Sequence, residues 1–306
     1  TQTGVTKILF EEASTTRLDL LMDPLGLARL VPLPETKELI WCSERSGWAH
    51  VYLYDLETGA LKNTVTSGEW LVRDILYFDA KRRELFLSTA ARVAERDPYY
   101  RDLVRVNVDS SKLKTLVASN HEYVVHSPIG YAQSFKGYAG LPCGVSPAGE
   151  YAVITRSRVD EETQSFLLDR DGKLILNLDT ADYSLPKGWQ WPESVKMIAA
   201  DGKTDIYGVI YRPSDFSPKK SYPIIDQSAV GHISSIVARS SFRTGAEMSY
   251  AEAASLAELG FIVVQIDGRG GMYRSKAFRD ESYAWKDIGC DIDDHVTAIQ
   301  QLAKRY

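Results

Sequence analysis

Phe261-Ile262-Val263-Val264-Gln265-Ile266 runs straight into Asp267-Gly268-Arg269-Gly270-Gly271. An apolar run of β-formers that stops at a charged, Gly-rich turn reads as a buried strand whose working end is the turn. A carboxylate and a guanidinium there could bind, orient or exchange a proton. A second candidate is acidic. Asp287, Asp291, Asp293 and Asp294 crowd the start of a helical pattern. Three of them, Asp291, Asp293 and Asp294, resemble a metal set, but the glycine and distant glutamate of an EF-hand are missing. A helix N-terminus favours aspartates by its dipole alone. The expectation is a solvated helix start and no metal. Cys42, Cys143 and Cys290 lie far apart and fit no metal spacing, so they read as buried apolar thiols.

The elements around the turn have an α/β order. Val195–Ile198 and Ile206–Tyr211, split by Asp201-Gly202, read as an antiparallel pair. Tyr222–Asp226 reads as a short strand. Ala246–Leu259 is rich in Ala, Leu and Glu and is closed by Gly260 as a helix cap. Asp287–Arg305 reads as a second helix, with Ile288, Ile292, Val296, Ile299 and Ala303 as its apolar face.

Upstream the style differs. Val51–Asp55, Leu103–Asn107 and Ser165–Asp169 each lead into a polar turn and a returning strand. The chain opens on a fourth copy of the turn and second strand, Thr3–Leu9. The turns, near Gly4, Gly59, Ser110 and Gly172, recur roughly every 50–60 residues, the sequence sign of β-propeller blades. Glu38–Ser43, Glu84–Ser88 and Tyr151–Thr155 supply further strands. The last repeat is long, and the excess is assigned to an inserted loop over Tyr123–Leu141. Trp41, Trp48 and Trp70 read as blade core. Three blades cannot close a ring, so more blades are expected upstream.

The 306 residues suffice for two domains. With 44% hydrophobic and 25% charged residues the composition is globular, and a net charge of −5 gives no reason to expect nucleic acid. No apolar run approaches the ~20 residues of a membrane-spanning helix. The cysteines do not set a compartment, and the chain starts Thr-Gln-Thr-Gly without a methionine or a signal-like segment.

Ser43-Glu44-Arg45-Ser46-Gly47-Trp48-Ala49-His50-Val51-Tyr52-Leu53-Tyr54-Asp55 and Asp97-Pro98-Tyr99-Tyr100 stand in the first part. Tyr222–Asp226, Leu259–Val264, Asp267-Gly268-Arg269-Gly270 and Arg274-Ser275-Lys276-Ala277-Phe278 stand in the second. With these segments the chain resembles the prolyl oligopeptidase family of serine peptidases, and within it the dipeptidyl peptidase IV-like branch. The resemblance implies a β-propeller, here about three blades over residues 1–190. It implies that residues 191–306 are the N-terminal part of an α/β-hydrolase domain.

The family's nucleophile elbow, Gly-x-Ser-x-Gly, would follow the Asp287–Arg305 helix, where the tight turn frees the serine oxygen. It is absent from this sequence. Gly144–Gly149 comes nearest, has the wrong spacing and reads as a turn. The resemblance therefore puts the serine, acid and histidine beyond Tyr306. None of His50, His121, His126, His232 and His295 takes the catalytic place, and residues 1–306 alone are expected to be inactive. In the family the loop after the Tyr-Pro strand carries an oxyanion-binding tyrosine. Here Ala229 or Ser228 falls at that position, without a phenol; the expectation is a divergent loop that has lost this donor, and Ser228 and His232 are the substitute candidates. Loss of one oxyanion donor costs about 10²–10³ in rate. By the same resemblance Asp267, Gly268, Arg269 and Gly270 are scaffold beside the active site. Glu44 and Glu95 are read as surface or loop glutamates.

The expected parent is a peptidase that cleaves short peptides after proline or alanine, forms a homo-oligomer (a dimer), and needs no cofactor. Its compartment, periplasmic, secreted or cytoplasmic, stays open. The alternative is a non-catalytic relative of the same fold that uses its surfaces for binding.

Overall fold

The computed structural model describes residues 4, 6–18, 30–125, 144–228, 235–242, 250–283 and 288–305. Three antiparallel four-stranded sheets form the first part, each an up-and-down meander. The first is β1 (Leu30–Leu33), β2 (Glu38–Ser43), β3 (His50–Asp55) and β4 (Leu61–Thr64). The second is β5 (Leu71–Asp79), β6 (Glu84–Ala90), β7 (Asp102–Asn107) and β8 (Leu113–Val117). The third is β9 (Glu122–Val125), β10 (Tyr151–Arg158), β11 (Glu161–Asp169) and β12 (Leu174–Thr180). Each of the three complete hairpins expected falls in its own sheet.

Strand alternation explains the stacking. Successive side chains point to opposite faces. In β6, Leu85 and Leu87 pack toward Ile40, Cys42, Val51 and Leu53 of the first sheet. Phe86, between them, packs the other way against Ala152, Ile154 and Leu168 of the third. The second sheet is thus packed on both faces, so β6 carries Leu85-Phe86-Leu87 without a polar alternate. Cys42 is buried in this core; the side chains of Cys143 and Cys290 lie outside the described residues.

Two expectations change here. Thr6–Leu9, in the supposed opening copy Thr3–Leu9, is not a strand. The segment is held by side chains instead: Phe10 stacks on Tyr54 at 4.2 Å, and Glu12 accepts from Trp41 Nε1 at 2.9 Å and pairs with Arg45 at 2.7 Å. The supposed insertion starts later than Tyr123, which lies in β9. Residues 126–143 lie outside the described residues, as does His126.

The fourth sheet is mixed. Its order is β13 (Glu193–Ile198), β14 (Asp205–Tyr211), β16 (Ile262–Asp267), β15 (Ile224–Asp226), with β15 parallel to β16 and the other pairs antiparallel. Ile262, Val264 and Ile266 face α3 (Ile288–Leu302) through Ala298 and Leu302. Val263 faces α1 (Tyr250–Ala257) and the segment Ile236–Ala238. Both faces of β16 are covered, which its unbroken apolar run requires.

The face of α3 matches the expected one only in part: Ile299 packs against the sheet. Ile292 and Val296 are exposed, whereas Asp294, His295, Ala298 and Leu302 are buried. Two polar side chains take the packing face because each has a partner on the sheet, described below.

Leu87 is fully enclosed between two sheets. Leu87→Ala should lower unfolding stability by about 2–5 kcal/mol, read as a lower urea midpoint at unchanged slope.

Candidate functional site

Gln265 and Asp267 lie on the α1-side face of β16, where the alternation would otherwise place apolar side chains. Gln265 is fully buried. Its Oε1 accepts from the Ala238 N–H at 3.1 Å and from the Tyr211 hydroxyl at 3.2 Å. Its Nε2 donates to Gln227 Oε1 at 2.8 Å. Asp267 is also buried. Its carboxylate accepts from Ser235 Oγ at 2.6 Å and the Ile236 N–H at 2.8 Å, and it pairs with Arg239 at 3.0 Å. These two side chains therefore hold a buried strap, residues 235–241, against the end of β16.

Arg239 carries the strap across to the first part of the chain. Its Nε meets Asp97 Oδ2 at 2.9 Å, and Asp97 belongs to the connection between β6 and β7. Its guanidinium sits 4.4 Å above the Tyr99 ring. Burial opposes the charge of Arg239, yet Asp97 and Asp267 hold its pKa above the ordinary value. Burial pushes the Asp97 carboxyl upward, against the pull of Arg239. Ser241 continues the strap into a hydroxyl cluster, with its N–H on Ser157 Oγ at 3.2 Å and its Oγ 3.1 Å from the Tyr183 hydroxyl.

The Asp267-Gly268-Arg269-Gly270 turn is fixed from the helix side. Asp294 is fully buried, accepts the Arg269 N–H at 2.8 Å and pairs with the guanidinium at 3.0 Å. The glycines follow from this closeness. A Cβ on Gly268 would stand 2.4 Å from Asp291 Oδ1, and one on Gly270, at φ +87°, would stand 2.6 Å from Ser282 Cβ. The aspartate cluster is therefore not uniformly solvated. Asp293 is exposed, but Asp294 neutralises Arg269, and Asp291 approaches His295 Nε2 at 3.3 Å.

His295 also meets Asp226, at the end of β15, with Nδ1 2.6 Å from Oδ2. Burial works against the imidazolium, but hydrogen bonds to Asp226 and Asp291 outweigh it and raise its pKa to about 10. A permanently charged imidazole at pH 7 is an ion-pair partner, not a general base.

Of the expected oxyanion candidates, Ser228 is exposed just past β15. Ala229 and His232 lie outside the described residues. Ser228 follows Gln227, whose own side-chain Nε2 is buried without a hydrogen-bond partner among the described residues. Ser119, His121 and Glu161 also bring hydroxyl, imidazole and carboxylate together, with Ser119 Oγ 2.6 Å from Nδ1 and Glu161 3.2 Å from Nε2. That hydroxyl is shared with Tyr123 at 2.9 Å, so it does not stand free as an elbow serine must. His50 is enclosed between Thr66 and Gly68, and burial lowers its pKa.

Glu44 corrects another expectation. It is buried, and forms an ion pair with Arg279 of α2 (Lys276–Asp280). The Lys276 N–H donates to Gly47 O at 2.8 Å. Glu95 is exposed, as expected. Sequence reasoning missed Asp97, Gln227, Arg239 and Asp226–His295. A signal was present for part of this: a glutamine inside FIVVQID is a polar group on a face that must be buried, and so needs a partner.

Residues 1–138 match the family described as dipeptidyl peptidase IV (DPP IV) N-terminal region, and residues 246–306 match the prolyl oligopeptidase family. In both of these regions the chain is similar to the prolyl oligopeptidase family, and to its dipeptidyl peptidase IV-like branch. A probable dipeptidyl peptidase 4 of Aspergillus fumigatus is 28% identical over 286 residues, 92% of this chain and 34% of that protein. Human dipeptidyl peptidase 8 is 34% identical over 115 residues, 38% of this chain and 12% of that protein. A solved structure, a putative dipeptidyl aminopeptidase IV from Bacteroides ovatus, matches with a TM-score of 0.68 at 21% identity, covering 88% of this chain and 37% of that one. Porphyromonas gingivalis dipeptidyl peptidase 4 matches with a TM-score of 0.63 at 20% identity, covering 88% and 34%. These likenesses give a shared fold. The chain spans about a third of the length of the curated relatives that match along most of it. The family motifs Ser43–Asp55 and Asp97–Tyr100 thus meet the motifs Asp267–Gly270 and Arg274–Phe278 in space, through Glu44–Arg279, Gly47–Lys276 and Asp97–Arg239–Asp267.

Asp294→Ala should destabilise the fold by about 3–5 kcal/mol, because it removes the buried carboxylate that accepts the Arg269 and Ala200 N–H groups and pairs with the guanidinium, whereas Asp293→Ala should change it by under about 0.5 kcal/mol; urea midpoints compare them. His295 is raised above its ordinary pKa, so its contribution is fully present below about pH 6.5 and is lost as pH rises toward 10. The stability gap between the protein and His295→Gln should be about 1–3 kcal/mol at pH 6 and shrink steadily up to pH 10, read from denaturation at each pH.

Proposed function

We propose that this chain is a section of a serine peptidase of the dipeptidyl peptidase IV kind. Residues 1–190 are the last blades of a propeller, and residues 191–306 are the first half of an α/β-hydrolase domain. The whole protein hydrolyses short peptides after proline or alanine through an acyl-enzyme. Its serine, acid and histidine lie outside residues 1–306, and the propeller limits access to the cleft.

The observation that carries this reading is the ion-paired seam between the two family-matched regions. Three meander sheets are joined to the mixed sheet by Asp97–Arg239–Asp267 and Glu44–Arg279. Buried charges of this kind need fixed partners, so the seam supports two regions that work as one unit. The parallel pair β15–β16 supports the hydrolase assignment, since ligands of open α/β sheets bind outside the carboxyl ends of parallel strands. Gln227, Ser228 and the Asp267 turn occupy that end.

A second reading, a non-catalytic binding protein of the same fold, is favoured by one feature: Ser228 and Ala229 stand where the family's phenol is expected. The full-length protein decides between them. It should release the chromophore from a Gly-Pro chromogenic substrate and lose that activity to a serine-directed phosphonate. Residues 1–306 alone should release none. No turnover by the full-length protein, with no serine labelled, would establish the binding reading instead.

A further inference from the structure

The strap at residues 235–241 lies between the sheets of the first part and the hydrolase-like sheet. It is irregular backbone, and Ile236, Val237, Ala238, Arg239, Ser240 and Ser241 are all buried. Buried irregular backbone needs a partner for each polar group. Here side chains from both parts supply them. Asp267 takes the Ile236 N–H, Gln265 takes the Ala238 N–H, and Ser157 of β10 takes the Ser241 N–H.

The chain before the strap is fixed to the same strand. The Gln227 N–H donates to Val264 O at 2.9 Å, and its side chain bonds to Gln265. The connection from β15 therefore leaves at Gln227 and returns at Ser235, with both ends tied to β16. The first part reaches this arrangement through Asp97, which shares Arg239 with Asp267.

We propose that Arg239 is a positioning residue: gripped by Asp97 on one side and Asp267 on the other, it lets the second sheet set the placement of the strap at residues 235–241 against the end of β16. Asp267 has two jobs, the strap's N–H groups and the guanidinium. A shift of Asp97 moves Arg239, and the strap moves with it. Tyr99, beneath the guanidinium, contributes a packed face that fixes the direction of approach. The coupling is geometric and belongs to the folded chain. Only its effect on turnover rests on the peptidase reading above.

The test uses the full-length protein with Asp97→Asn and, separately, Arg239→Lys. Asp97→Asn leaves every contact of Asp267 with the strap in place. Two readouts are taken. One is hydrogen exchange at the Ile236 and Ala238 amides. The other is kcat and KM on a Gly-Pro chromogenic substrate, per serine labelled by a fluorophosphonate. Both variants should exchange these two amides about tenfold faster, with the amides of β6 unchanged. Both should lose about tenfold or more in kcat per labelled serine, with KM within about threefold, because a small misplacement acts on the transition state. Unchanged exchange at Ile236 and Ala238 in folded Asp97→Asn protein overturns the proposal. So does a kcat loss that vanishes once labelled serines are counted, which is the result a merely structural role gives. If the unsubstituted protein neither turns over the substrate nor labels, the peptidase reading falls, while the exchange measurement still decides the coupling. If Arg239→Lys fails to fold, Asp97→Asn carries both readouts.

Discussion

One constraint organises the second half of this chain: the two charges of the Asp267–Arg269 turn are enclosed by protein and must be neutralised. Asp267 ends a strand whose every residue is buried, and Arg269 follows after a single glycine. An unpaired buried charge costs more than a fold of this size can spare. The chain answers in opposite directions. Asp267 turns to one face of the sheet and takes Arg239 and the strap. Arg269 turns to the other and takes Asp294 on α3. The turn pins one helix and one irregular segment to the same strand end, and the glycine between the charges lets the helix come that close.

This arrangement changes what a motif means here. The Asp-Gly-Arg-Gly turn reads at first as chemistry, since it combines acid and base at a strand end. Its side chains are saturated by structural partners. The same holds for Glu44 and Asp97, which lie in motifs of the first part. Charged residues in these motifs are recognition elements between parts of one molecule. Replacing such a pair by apolar residues could be as stable. What ion pairs add is directionality: Arg239 meets two carboxylates from different sheets and one aromatic face, and only a narrow range of placements satisfies all three.

Much of the fold was legible in the sequence because it depends on period and turn chemistry. The three hairpins, the β13–β14 pair, the β16 strand and the Gly260 cap are all local features. Gly260 stands at φ +95° and closes the last turn with its N–H on Ala257 O. Thr6–Leu9 failed because the chain there is held just downstream, by the stack of Phe10 on Tyr54 and by Glu12, not by a neighbouring strand. The site was less legible. Asp226 and His295 are 69 residues apart and meet only because β15 lies beside β16 and α3 lies across both. No spacing rule reaches that far. Ala229 and His232 lie outside the described residues, so of the oxyanion candidates only Ser228 has a place on the fold.

The α3 face shows how a physically sound rule can select the wrong side. Ile292, Val296 and Ile299 form a correct helical stripe, and a stripe of that kind ordinarily marks the packed face. The rule weighs apolar burial alone. It does not count Arg269 and Asp226, which wait on the sheet for Asp294 and His295. An aspartate and a histidine one residue apart orient the helix through an N–H, a guanidinium and a carboxylate. Ala298 and Leu302 then complete that face, one and two turns further along. The helix thus satisfies its charged partners first, and Ile292 and Val296 are left in solvent. A helix so placed has two demanding faces, one led by Asp294 and His295 and occupied, one apolar and packed only at Ile299. Its orientation is set by the face whose misplacement costs more, and near buried charge that is the polar one.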